Sequence, residues 1–365
     1  MSTVFATRKA VGRRERAVAP SQSNGAAYRE MGMRNWLNGP PRNYIAGLDI
    51  GTSHVRAVVL GYGPSTPHAP SWMRLIHAAT VPLPEAAMSG ADILEPHVVA
   101  RVLVDAFGGP EGVSRWAGAH LAIGLPPSTV LIRSVALAEL MRRRDRADEP
   151  GAWRARRGSD FGLDAFEERV LAEAELMMAI GRDQLCVDWF RSASVVGIEH
   201  ATIVTATRQH VESRVTTAAL AGLRVCVVDG HAEAALRACR LWMEVRRPVE
   251  ATFVVIWTHA ADARTWCVHE HAVEKVLEGP AALDMRNVAS WAGDRKPRIA
   301  VLAGDCTTAA RGSLESNVIS RLTGCIVDRF NPHLCCAAVD PQRDDASLED
   351  AAYVVAFGLA LRGVA

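Results

Sequence analysis

The chain lacks most of the features that announce a reaction. No Walker A loop, G-x-S-x-G elbow or H-E-x-x-H pair occurs in its 365 residues, so P-loop, serine-hydrolase and zinc-protease readings have no support. No apolar run approaches the ~20 residues needed to cross a bilayer. Nor does a charged and then apolar leader open the chain, so a cytoplasmic location is expected. The eight cysteines form no C-x-x-C pair and keep no regular spacing, which fits thiols in a reducing compartment better than a disulfide framework. Aromatic residues are only 6% of the chain, and its formal net charge is +1. The whole chain is therefore not an electrostatic nucleic-acid binder.

What is present is unevenly distributed. Residues 1–43 hold eight basic side chains against Glu15 and Glu30, a local net of +6. They are rich in Arg, Ser, Gly, Ala and Pro without periodicity, and read as a disordered basic tail. Such a tail is either a plain solvated extension or a contact for anionic lipid. Beyond it, 49% hydrophobic content with 22% charge describes a folded domain with a substantial core. The pattern predicts a helix over 97–107, strands at 119–128 and 130–137 around Pro126-Pro127, and a helix over 166–178. In that helix Phe166, Val170, Ala174 and Met177 share one face, with acids around the rest. A strand at 201–206, a helix at 208–222 stopped by glycine, and strands at 223–229 and 251–256 follow. Alternating strands and helices indicate an α/β architecture.

The most informative stretch is Tyr44 to Leu60: an apolar strand, a short polar turn, and a second apolar strand. Gly51 lets the chain turn sharply and bring amides near a ligand. Asp49 precedes the turn, placed to hold a metal-bound water, and Thr52 and Ser53 are placed to donate to phosphate oxygens. Without a ligand the same stretch is an ordinary hairpin with a polar turn.

Gly47-Leu-Asp-Ile-Gly-Thr-Ser-His-Val-Arg-Ala-Val-Val resembles the first phosphate motif of the actin-like ATPase superfamily, in the branch holding the cell-division protein FtsA and the PilM-like type IV pilus assembly proteins. Further segments match the PilM-like proteins in the same order. They are the Leu125-Pro126-Pro127 strand bend, the acidic helix at 166–178 followed by Asp188-Trp189, Thr205-Ala206-Thr207-Arg208-Gln209-His210-Val211, and Ile299 to Gly304. The resemblance implies an actin-like, ribonuclease H-like two-lobe fold with an inserted subdomain of the FtsA and PilM type and a reduced second lobe. The implied division is 44–118 for the first lobe, 119–225 for the insertion and 226–250 for the return to the first lobe. The second lobe would take 251–350, and a helix at 351–365 would pack back on the first.

The chain departs from the family where a nucleotide would be held. The second phosphate loop, usually Asp-x-Gly, is replaced after the strand at 251–256 by Trp257-Thr258-His259. After Gly304 of the adenosine motif, Asp305 stands where a second glycine is usual. Between Pro280 and Arg298 the family carries a much longer helical block. By resemblance Asp49, Gly51, Thr52, Ser53 and Gly304 are then vestiges of a nucleotide site, with hydrolysis and a bound cofactor (ATP with Mg) not expected. The implied role is a non-catalytic scaffold on the cytoplasmic face of the inner membrane. It would bind the N-terminal tail of a PilN-type bitopic protein and meet pilus motor and platform proteins. An ATP-gated switch and the related scaffold of a type II secretion platform are the alternatives. Cys267, His269 and His271 alternate in sequence, but without a paired motif they read as an incidental polar stripe rather than a metal site.

Overall fold

The computed structural model describes residues 5–6, 44–62, 73–142, 163–193, 199–259, 262–270, 272–279, 288, 297–305, 316–336 and 351–362. Two sheets of identical five-strand topology form its frame. The first takes β2 (Tyr44–Ile50), β3 (His54–Tyr62), β4 (Met73–Pro82), β7 (His120–Leu125) and β11 (Val225–Gly230), in the order β11-β7-β2-β3-β4. The second takes β12 (Thr252–His259), β13 (Asp262–His269), β14 (Ala272–Glu278), β15 (Ile299–Gly304) and β16 (Ile326–Arg329), in the order β14-β13-β12-β15-β16. In each sheet a central strand starts an antiparallel meander on one side and pairs in parallel on the other, β2 with β7 and β12 with β15. β5 (Met88–Ser89) and β6 (Asp92–Ile93) make a small separate ladder.

The central strands are buried on both faces, which is why β2, β12 and β15 read as continuous apolar runs instead of alternating ones. Two helices lie between the sheets, α6 (His231–Arg246) and α8 (Val354–Arg362). Ile45, Val58 and Leu60 of the first sheet, Ala235 and Trp242 of α6, Phe357 and Leu359 of α8, and Val255 and Val301 of the second sheet make one continuous core. α8 crosses β2 so closely that a Cβ on Gly47 would stand 1.9 Å from the Ala356 carbonyl oxygen. α8 thus packs directly on β2.

The outer face of the first sheet is covered by α1 (Pro96–Ala106) and α5 (Arg208–Leu220), with α2 (Gly109–Trp116) beside them. Pro96 opens α1 at a position where its missing N–H costs nothing. α5 ends at Gly222, φ +77°, with Leu223 N–H donating to Ala218 O and Gly222 N–H to Ala219 O, a closure that favours glycine. α7 (Ser316–Thr323) covers the outer face of the second sheet through Ile319.

A third sheet, β8 (Val130–Ala136), β10 (Glu199–Thr207) and β9 (Leu185–Ala193), is antiparallel and forms a separate ladder, although Val204 and Ala206 pack into the core on the outer face of the first sheet. α3 (Leu137–Arg142) and α4 (Leu163–Met178) pack on it, with Phe166, Val170 and Ala174 facing inward as their spacing predicts. Glu173 does not join the expected solvated acids. It is buried and paired with Arg133 at 2.9 Å, since a carboxylate under a sheet edge needs a cation. The segment expected as an insertion, 119–225, takes in β7 and the start of β11, both strands of the first sheet, so the separate sheet spans 130–207.

One expectation for the tail is corrected. β1 (Phe5–Ala6), inside residues 1–43, pairs antiparallel with Val227 and Val228 on the open edge of β11, where unpaired backbone groups offer a partner. The rest of the tail, the Arg-rich stretch around 143–160 and most of the shortened 280–298 connection lie outside the described residues. No helix among the described residues is long and apolar enough to cross a membrane.

Candidate functional site

The β2–β3 turn and the β12–β13 hairpin occupy equivalent places in their sheets, and a cavity of about 260 Å³ lies between them. Gly51 and Thr52 line it from the first sheet, Ser128 from the bend after β7, and Trp257, His259 and Arg264 from the second. Glu278, paired with Arg264 at 3.0 Å, completes that side.

The five residues expected at a vestigial nucleotide site separate. Gly51 and Thr52 line the cavity; Asp49, Ser53 and Gly304 do not. Gly51 is not in the left-handed conformation. It closes the turn by donating its N–H to His54 O at 3.0 Å, and an added Cβ would stand 3.0 Å from that same oxygen. Ser53 is exposed and shares a hydrogen bond with His54 Nδ1 at 2.9 Å. Gly304, φ +91°, lies where a Cβ would meet the Thr258 carbonyl oxygen at 2.1 Å. The neighbouring Thr258 hydroxyl donates to Asp305 O at 2.9 Å. Gly304 thus serves the β12–β15 contact.

Asp49 points into the protein. It is 5% exposed, 4.0 Å from Arg56 across the hairpin, and its Oδ1 is 3.3 Å from His231 Nε2. His231 opens α6 and is fully buried. Burial is the main cause holding its pKa down to about 3, helped by Arg214 and opposed by a backbone hydrogen bond at Gly124. Burial also raises the Asp49 pKa, against the pull of Arg56, His259 and Arg214. The Asp49–His231 contact therefore joins a neutral ring to a carboxyl that burial disfavours as an anion. Asp49 Oδ1 accepts no hydrogen bond there. Arg214 of α5, fully buried, donates to Ala91 O at 2.9 Å, and burial lowers its pKa to about 10.

This lining is a poor match for Mg-ATP. The cavity falls below the ~300–1,000 Å³ of ordinary small-molecule pockets. Phosphoryl chemistry wants phosphate-binding loops on both sides and a carboxylate at the metal. Here the second-sheet side offers indole, imidazole and an Arg264 guanidinium already engaged by Glu278, while Asp49 is turned onto His231. Among the described residues no group of three or more His, Cys, Asp or Glu is arranged to hold a metal ion. Cys267 is buried and His269 is hydrogen-bonded to Thr252 at 2.7 Å, while His271 lies outside the described residues.

Sequence reasoning missed His231, Arg214 and the facing role of Arg264 and Glu278. The strand-to-helix junction Asp229-Gly230-His231 was the one local signal for the first. Nothing local distinguished the others.

A second, larger cavity of about 730 Å³ opens on the first lobe. It lies between the start of α1 at Pro96, the 3₁₀ turn Arg182–Gln184 ahead of β9, and the outer face of α5 at Arg208, Glu212 and Ser213.

Two sheets that share one five-strand order around a cleft, with a third sheet inserted in the first lobe, define an actin-like, ribonuclease H-like two-lobe fold. A solved structure described as a PilM-PilN type IV pilus biogenesis complex has this fold: 17% identity, TM-score 0.62, covering 89% of this chain and 100% of that one. The cytoplasmic domain of EpsL, an inner-membrane component of the Vibrio cholerae type II secretion system, aligns at 11% identity and TM-score 0.39, over 71% of this chain and 81% of that one. A Bacteroides thetaiotaomicron protein of unknown function with an actin-like ATPase fold aligns at 9% identity and TM-score 0.43, over 81% and 97%. No family model matches the sequence, and no curated protein matches it.

Proposed function

We propose that this chain is a non-catalytic scaffold of a type IV pilus assembly platform at the cytoplasmic face of the inner membrane. There it seats the short cytoplasmic N-terminal tail of a PilN-type bitopic membrane protein. The observation that carries this reading is the shared fold along the full length of a chain from a PilM-PilN complex, at TM-score 0.62. The altered cleft supports it, because docking a peptide needs a groove and a rigid frame, whereas phosphoryl transfer needs a complete phosphate cradle.

The groove we assign is the 730 Å³ cavity on the first lobe, within the ordinary range for ligand sites. Pro96 and Ile180 give it apolar contacts, Ser213 and Thr216 give hydroxyls, and Asp183 and Arg208 give charges of both signs. That mixture suits an extended tail that presents alternating side chains and unpaired backbone groups. Through that tail, the chain would reach the membrane.

The test uses the full chain and a synthetic peptide of the partner's N-terminal tail, read by fluorescence anisotropy. Binding is expected, Ser213→Trp is expected to weaken it by about tenfold or more by filling the groove, and Mg-ATP is expected to leave it unchanged. A chain that ignores the peptide while a PilM control binds it would sink the reading. So would a clear thermal shift from millimolar Mg-ATP that Asp49→Ala abolishes, since a ligand at about 100 times its Kd adds about 2.7 kcal/mol.

A further inference from the structure

The two lobes share one core, and where that core reaches the cavity it continues into a line of side chains. Asp49 of β2 lies against His231 at the start of α6. The His231 ring stands edge-on to His259 of β12, centroids 5.4 Å apart at 74°. His259 stacks on Trp257 at 5.2 Å and 28°, and Trp257 on Trp266 of β13 at 6.1 Å and 25°. The line runs from the first sheet to the second without a gap.

We propose that Asp49, His231, His259 and Trp257 form a built-in clasp that fixes the two lobes in one relative placement with no ligand in the cleft. A bound ligand can set such a placement only through contacts that favour it over others. In this chain side chains make the contacts to both lobes themselves. Rings at these separations and angles attract one another beyond the area they bury.

Two features show that the seat is shaped for the ring. Gly124 ends its side at the backbone: a Cβ there would fall 2.3 Å from His231 Cδ2 and 2.4 Å from Nε2, so any side chain would expel the imidazole. Burial keeps His231 neutral, so no cation is placed between apolar surfaces. Among the described residues, ionisable groups bearing on the clasp include Arg56 from β3, Arg214 from α5, Arg264 from β13 and Glu278, which pairs with Arg264 at 3.0 Å. Arg56 and Arg214 act on Asp49, and the Arg264 guanidinium carbon lies 5.9 Å from the Trp266 ring centre. The clasp does not depend on the docking reading, and its test contains no peptide and no nucleotide.

Hydrogen exchange measured by mass spectrometry on the full chain, on His259→Ala and on His259→Phe tests the idea. His259→Ala should speed exchange at the 50–54 turn and the first turn of α6 by about tenfold or more, while the β8-β10-β9 sheet keeps its protection. His259→Phe, which keeps a ring in place, should stay within about twofold of the wild type at those positions. Unchanged protection at the turn in His259→Ala overturns the clasp. If His259→Ala unfolds the whole chain, seen as equal loss in the β8-β10-β9 sheet, His259→Phe decides alone. Retained protection there supports the clasp and lost protection at the turn overturns it.

Discussion

The β2–β3 and β12–β13 hairpins hold the same place in two sheets of the same topology, yet they solve opposite problems. The first has kept a small, polar turn, with Thr52 and Ser53 exposed and Gly51 closing on His54. The second ends in buried indole and a half-buried imidazole, Trp257 stacked between His259 and Trp266. A cradle for phosphates needs both turns small and donor-rich. Once one of them is filled with aromatic rings, the other is free to be an ordinary turn, and its aspartate is drawn inward to a histidine. Topology alone therefore does not carry activity, which resides in the few side chains at the turn ends.

That contrast can be broken most sharply at Trp257. Trp257→Ala removes a side chain 2% exposed within the shared core, and a loss of about 3–5 kcal/mol in urea unfolding is expected. A loss below about 1 kcal/mol would mean the second hairpin is not built on its rings.

The next effect concerns acid. The His231 pKa is held down to about 3 in the folded chain, while an unfolded histidine titrates near ~6.5. Unfolding therefore takes up a proton between these values, and this residue's contribution is present near neutrality and lost as the pH falls from about 6.5 toward 3. About 2 kcal/mol should disappear between about pH 7 and 4.5, and His231→Gln should flatten that slope relative to the wild type. Parallel slopes in the two proteins would contradict a buried neutral imidazole.

Asp49 carries the opposite sign. Its pKa is raised by burial, so its contribution is present below the unfolded carboxyl value and is lost as the pH rises through the folded one. Asp49→Asn should have a Tm at or above the wild type at alkaline pH, with no gain in acid. A marked drop in Tm at alkaline pH would show instead that Asp49 is held by its 4.0 Å contact with Arg56.

The smallest effect is expected at the exposed turn. Thr52→Val should move stability by no more than about 0.5 kcal/mol and leave peptide binding as it was. A larger change in either would give the first turn a role that its geometry does not require.

Much of this molecule was legible from its residues because it is local. The apolar run opening at Tyr44 announced a strand, the spacing of Phe166, Val170 and Ala174 announced the inner face of α4, and Gly222 announced where α5 stops. The loss of the second phosphate loop was visible as Trp257-Thr258-His259 where Asp-x-Gly is usual. What the sequence left open depends on residues far apart in the chain. That β7 and β11 join β2 in one sheet follows from pairing between residues far apart in the chain, Ile45 with His120 and Leu121 with Val225. That Asp49 turns toward His231, that His231 meets His259, and that Gly304 serves Thr258 rather than a base are consequences of packing α6 between two sheets. Residue type and periodicity determined the elements, because backbone preference and one-sided burial act within a few residues. Only the tertiary structure decided which side chains share a cleft, and burial there, where water no longer screens them, fixed their charge.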